Sequence, residues 1–108
     1  MTVPAVAELR ARREFIRLGA PGEEVWSVRV EIPEVWDLVR IDAPPSTPVA
    51  LIKQRALDEL VPDAPASDQW VVKLHGFEVL DESVSLMDAG ARNGSTFVVM
   101  GRHRKPVR

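Results

Sequence analysis

QWVVKLHGFEVLDESVSLMDAGARNGSTFVVMG, residues Gln69 to Gly101, is the stretch whose reading decides the fold. Val71, Val72 and Leu74 form a short strand-like run that stops at His75-Gly76, and Phe97, Val98, Val99 and Met100 form a second run launched from Asn93-Gly94. Between them Val79, Leu80 and Leu86 are set among Asp81, Glu82, Ser83 and Ser85. That mixture is too polar for a long helix and too apolar for a disordered loop, so a tight, partly buried connection is expected.

Upstream, Trp26, Val28, Val30 and Ile32 alternate with Ser27, Arg29 and Glu31, the period of a strand with one wet face. Ile32-Pro33-Glu34 breaks the run. A second run follows, with Val35, Val39 and Ile41 assigned to the buried face and Trp36, Leu38 and Arg40 to the other, so the pair reads as a hairpin. Asp42-Ala43-Pro44-Pro45 ends it, because consecutive prolines cannot continue a ladder. Ser46 or Thr47 is placed to cap a helix with Pro48 in its first position. Val49, Ile52, Ala56 and Leu60 then recur at helical spacing, and Pro62 ends the helix. The proline-rich loop of residues 61–68 returns the chain to Trp70. Strand, strand, helix, strand, strand is the order of an α+β fold in which a sheet wraps one crossing helix.

With that order established, the stretch resembles the second half of ubiquitin. Gly76, Leu80, Asp81-Glu82, Leu86-Met87-Asp88 and Ser95-Thr96-Phe97 fall near the corresponding positions, with one extra residue between Gly76 and Leu80. The resemblance implies a ubiquitin-like β-grasp and pairs Lys53 with the acidic turn at Asp81-Glu82, as a lysine of ubiquitin's helix is paired. It resembles in particular the bacterial ubiquitin-like proteins, either YukD-type members or those found with conjugation enzymes. Two features depart from ubiquitin. Its central surface isoleucine is matched by Lys73, and its terminal pair of glycines by Gly101 alone, followed by residues 102–108, RHRKPVR.

Residues 5–18, AVAELRARREFIRL, place Val6, Leu9 and Ile16 near helical spacing and stop at Gly19, which predicts an added N-terminal amphipathic helix. The expected organisation is therefore a helix and linker over 1–24, the β-grasp domain over 25–101 and a basic tail over 102–108. The 108 residues suffice for one domain. Hydrophobic content of 45% and charged content of 28% are those of a globular chain. The chain has no cysteine, which excludes disulfides and thiolate metal sites and fits a cytoplasmic setting. No apolar run approaches the roughly 18 residues of a membrane span. Residues 21–101 hold fourteen acidic and six basic residues, a net of −8, whereas the tail holds four basic residues and no acidic one. An acidic body repels phosphate, which disfavours a nucleic-acid partner.

Catalytic chemistry finds no footing in these residues. His75 and His103 are the only histidines, and His75 sits at a glycine turn, so neither an acid-base pair nor a metal site is expected. Asp81 and Glu82 are adjacent and point apart on an extended segment. No phosphate-cradling glycine motif is present. Neither catalytic residue nor cofactor is therefore assigned. Alternation instead places Trp36, Leu38, Val71, Lys73, Val98 and Met100 on the outer sheet face, a candidate protein-binding patch unless the N-terminal helix lies across it. The expected function is non-covalent protein interaction, as an adaptor or assembly component with a protein partner such as a secretion component. The alternatives implied by the resemblance are a covalent-modifier precursor cut after Gly101 by a peptidase and handled by activating and conjugating enzymes, or an auxiliary subunit of a multicomponent oxygenase.

Overall fold

The computed structural model describes residues 15–63 and 69–101. Along the chain run β1 (Phe15–Arg17), β2 (Trp26–Ile32), a 3-10 turn (Pro33–Val35), β3 (Asp37–Ala43), α1 (Val49–Leu60), β4 (Trp70–Leu74), β5 (Phe77–Glu78) and β6 (Thr96–Gly101). They form one six-stranded mixed sheet in the order β1-β3-β2-β6-β4-β5. The strands β2 and β3 are an antiparallel hairpin, β6 runs parallel to β2 in the middle, and β4 pairs antiparallel with β6. Alternation decides which face is dry. Val28, Val30, Ile32, Val39, Ile41, Val72, Leu74, Phe97 and Val99 pack with Val49, Ile52, Ala56 and Leu57 of α1 into one core. The expected α+β β-grasp is the fold observed.

The N-terminal expectation is corrected where it can be compared. Phe15 to Arg17, assigned to the end of an amphipathic helix, are a strand that pairs parallel with β3, so the sheet begins at Phe15 and not near Val25. An isolated helix of this length is marginal in water, while the open edge of β3 offers unpaired backbone groups. Aromatic and β-branched side chains at Phe15 and Ile16 suit the strand. Ile16 turns inward against the core, and the Leu18 amide donates to the Asp42 carbonyl at 2.7 Å. The rest of that helix assignment, residues 5–14, lies outside the described residues, as do residues 64–68 and the basic tail 102–108. Gly19 has φ +92° and lies against Pro44, where a Cβ would meet the ring at 2.9 Å. It therefore ends a strand and turns the chain, a different task from closing a helix.

The start of α1 also departs from expectation. Neither Ser46 nor Thr47 caps it; the capping position falls to Pro48, which has no side chain able to accept a hydrogen bond. The first amides, which lack helical partners, donate instead to the connection between β5 and β6. Val49 N–H reaches the Val84 carbonyl at 2.9 Å and Ala50 N–H the Glu82 carbonyl at 2.8 Å. In return Leu86 N–H donates to the Thr47 carbonyl at 2.9 Å, and the Leu86 side chain is fully buried. Lys53 completes the clasp. Its ammonium lies 2.7 Å from Glu82 Oε1 and donates to the Trp70 carbonyl at 2.9 Å, with its side chain only 4% exposed. The pairing with the acidic turn is thus made by Glu82. Asp81 is held by the Ser83 hydroxyl and amide, which lower its pKa below the ordinary carboxylate value.

The β2–β3 hairpin turns through the 3-10 segment and closes at Trp36, whose φ of 57° and ψ of 39° lie in the left-handed region. Val35, assigned to the buried face, is exposed, because the turn takes it out of the strand before the alternation of β3 begins at Asp37. Trp36 is likewise in the turn and not in the strand. His75-Gly76, with φ of 56° and 86°, makes the two-residue turn joining β4 to β5.

Glu82→Ala strips a buried ammonium of a charged partner and should lower unfolding free energy by about 2–3 kcal/mol in chemical denaturation. Lys53→Met should cost less, since it keeps the buried stem and removes the charge. Trp36→Gly should leave stability unchanged or raise it by up to about 1 kcal/mol, because glycine adopts the left-handed conformation freely. A loss of several kcal/mol on that change would mean that the indole packs as core.

Candidate protein-binding face

Strand pairing fixes which side chains share the face opposite α1. Leu38 stands across from Glu31, Glu31 across from Val98, and Val98 across from Lys73. One row of the outer face therefore reads Leu38, Glu31, Val98, Lys73. Two residues along β6, Met100 stands across from Val71 and comes level with the 3-10 turn. All five of the strand residues assigned to this face lie on it. Their exposure differs, however: Leu38 is 43% exposed, Lys73, Val98 and Met100 are half-buried, and Val71 is buried at 9%. Val71 is therefore corrected from an exposed patch residue to a supporting one.

Trp36 reaches the same region from the turn. It lines a shallow cleft with Glu31, Pro33, Asp37 and Leu38, which brings the indole beside Leu38. At 93% exposure it is the most exposed large apolar side chain among the described residues. A bulky L-residue in the left-handed region costs on the order of 1–2 kcal/mol, and here no burial of the ring offsets it. Nothing in the packing of the described residues calls for a tryptophan at that position.

Gly101, the candidate processing point, is the last residue of β6. It pairs with Trp70 across the sheet, and its amide donates to Glu34 Oε2 of the 3-10 turn at 2.7 Å. The sheet thus holds the backbone up to that glycine. His75 is exposed on its turn, and His103 lies outside the described residues. Among the described residues no three metal-ligating side chains come together, and no helix is long and apolar enough to cross a membrane.

Sequence reading finds only part of the other end of this face. Arg29 and Arg40 stand directly opposite each other on β2 and β3, and β1 brings Phe15 beside Arg40 and Arg17 beside Asp42. The Arg40 guanidinium lies 4.2 Å from the centre of the Phe15 ring, a cation–π contact. Arg40 Nε is 3.3 Å from Asp42 Oδ1, which also accepts from the Ser27 hydroxyl at 2.6 Å. The alternation of residues 26–32 and of the run that follows already puts Arg29 and Arg40 on the wet face. The rest needed β1, which periodicity had assigned to a helix.

No family model matches the chain, and a sequence comparison with curated proteins gives no match either. Solved structures do match in fold. A ubiquitin-like domain from Arabidopsis thaliana superposes with a TM-score of 0.61 at 17% identity, over 83% of this chain and 90% of that one. The ubiquitin of Caldiarchaeum subterraneum gives 0.61 at 14% identity, over 76% and 99%. The C-terminal ubiquitin-like domain of mouse tubulin-specific chaperone e gives 0.61 at 14%, over 82% and 97%. At such identities the likeness is one of fold, and the fold of this chain is the ubiquitin-like β-grasp, extended at one sheet edge by β1.

Proposed function

We propose that this ubiquitin-like protein acts without catalysis, as an adaptor or assembly component that docks a protein partner on the outer sheet face around Trp36 and Leu38. The observation that carries the reading is Trp36 itself. A tryptophan held in a disfavoured backbone conformation, almost fully in water and beside an exposed leucine, makes sense as an anchor for something outside the chain. Val98, Met100 and the stem of Lys73 extend the apolar surface, and Val71 supports it from below. Among proteins of similar fold, a tubulin-binding cofactor and a tubulin-specific chaperone carry such domains, which accords with work on other proteins.

The covalent-modifier alternative is disfavoured by Gly101. Conjugation through a glycine needs a free arm ahead of the carboxylate, and here the residue is still paired in β6 and bound to Glu34. Intact-mass measurement on protein from its native cell should show no main species ending at Gly101 and none joined to other proteins through it. Either species would reverse the preference.

The docking reading is tested by affinity capture from the native cell with matched variants. Species retained by the wild type and by His75→Ala should be lost with Trp36→Ala, a weakening of about 2 kcal/mol or more, typical of an aromatic anchor. Equal retention by Trp36→Ala would remove the tryptophan from the site.

A further inference from the structure

Two arginines directly opposite on an antiparallel pair repel each other, and natural sheets avoid the arrangement because it lowers stability. Arg29 and Arg40 occupy such positions here. Arg40 has Asp42 to lean on, but that carboxylate is only 10% exposed and already accepts from Ser27. Among the described residues neither Arg29 nor Arg17 makes an ion pair. The protein thus holds Arg29, Arg40 and the Phe15 ring in one row across β2, β3 and β1, with Arg17 two residues further along β1 opposite Asp42, on a body whose residues 21–101 carry a net of −8. Concentrated positive charge on an otherwise acidic surface is not explained by solubility.

The row also has an apolar neighbour at a defined distance. Leu38 precedes Arg40 by two residues on β3, about 7 Å along a strand, and Trp36 lies just beyond it. An extended peptide repeats its side chains at the same interval. Building on the docking reading above, we propose that the outer face takes an extended acidic segment of a partner protein. Carboxylates of that segment meet Arg29, Arg40 and Arg17, and an aliphatic or aromatic side chain two positions away packs against Leu38 and Trp36. A polynucleotide fits less well, because Glu31, Glu34 and Asp37 border the apolar end and would face a continuous line of phosphates. A short segment can place its charge on the arginines alone.

Selection of a random peptide display library on the full chain tests the assignment. Enriched sequences should carry Asp or Glu with an aliphatic or aromatic residue two positions away. The most enriched peptide, made synthetically, should bind the Arg29→Thr variant roughly tenfold more weakly than the wild type, and its affinity should fall with added salt. The same variant should unfold at an unchanged or higher temperature, since it loses a like-charge pair. A peptide with lysine in place of each acidic residue should not bind. No enrichment, enrichment without carboxylates, or equal binding by Arg29→Thr would overturn the inference. If Trp36→Ala abolished binding while Arg29→Thr did not, the docking face would stand and the acidic partner would fall. If only Arg29→Thr mattered, the tryptophan anchor would fall instead. A labelled single-stranded oligonucleotide binding more tightly than the peptide at the same salt would replace the protein partner with a nucleic acid.

Discussion

The helix α1 begins without a side-chain cap, and the rest of the molecule is arranged around that deficit. Amides at the start of a helix need acceptors, and Pro48 has no side-chain acceptor for the first two, those of Val49 and Ala50. The acceptors come from more than thirty residues downstream, at Glu82 and Val84, so the start of the helix is tied to the connection between β5 and β6. Lys53 locks the same junction from one turn inside the helix, through Glu82 and the first carbonyl of β4. Helix, connection and central sheet are therefore one cooperative unit. Burial of the Lys53 charge raises the cost of any arrangement that separates them.

That dependence explains which parts of the fold were readable in the amino-acid sequence. Within β2, β4 and β6 the apolar alternation and the glycine turns are local signals, and their core faces came out as expected. The partner of Lys53 was legible only through resemblance to ubiquitin, since no local rule joins residue 53 to residue 82. The cap was misread because Ser46-Thr47-Pro48 has the composition of a helix start, while backbone carbonyls from a distant segment do the work. Phe15-Ile16-Arg17 was misread for the complementary reason. Its helical spacing is a weak preference over so short a span, and an unpaired strand edge outweighs it.

The candidate face shows the same division. Strand alternation was enough to place Leu38, Lys73, Val98 and Met100 outward, yet it gave no sign that Val71 would be closed off, since enclosure depends on what lies above a face as well as on which way a side chain points. Trp36 was assigned to the right face for an incomplete reason. It stands clear of the protein because the 3-10 turn and a left-handed residue lift it from the hairpin, a geometry that Ile32-Pro33-Glu34 announces only as a break. The arginine row was half visible. Arg29 and Arg40 each fall on a polar position, but their opposition follows from register, and Arg17 joins them only once β1 is a strand.

The edges of the sheet bear on how such a face would be used. A sheet can recruit a partner by adding a strand, which needs a run of unpaired backbone groups. Here β1 pairs with Arg40 to Asp42 of β3 and β5 with Lys73 and Leu74 of β4, so that among the described residues each sheet edge is broken into short runs. Each offers too few groups to supply much affinity from backbone hydrogen bonds. Such edges leave the docking proposed above to side chains on the open face. The strand β1 also carries Phe15 and Arg17 onto that face, where Phe15 stacks on Arg40. By its position β1 thus covers part of an edge and at the same time adds an aromatic ring and a charge to the open face.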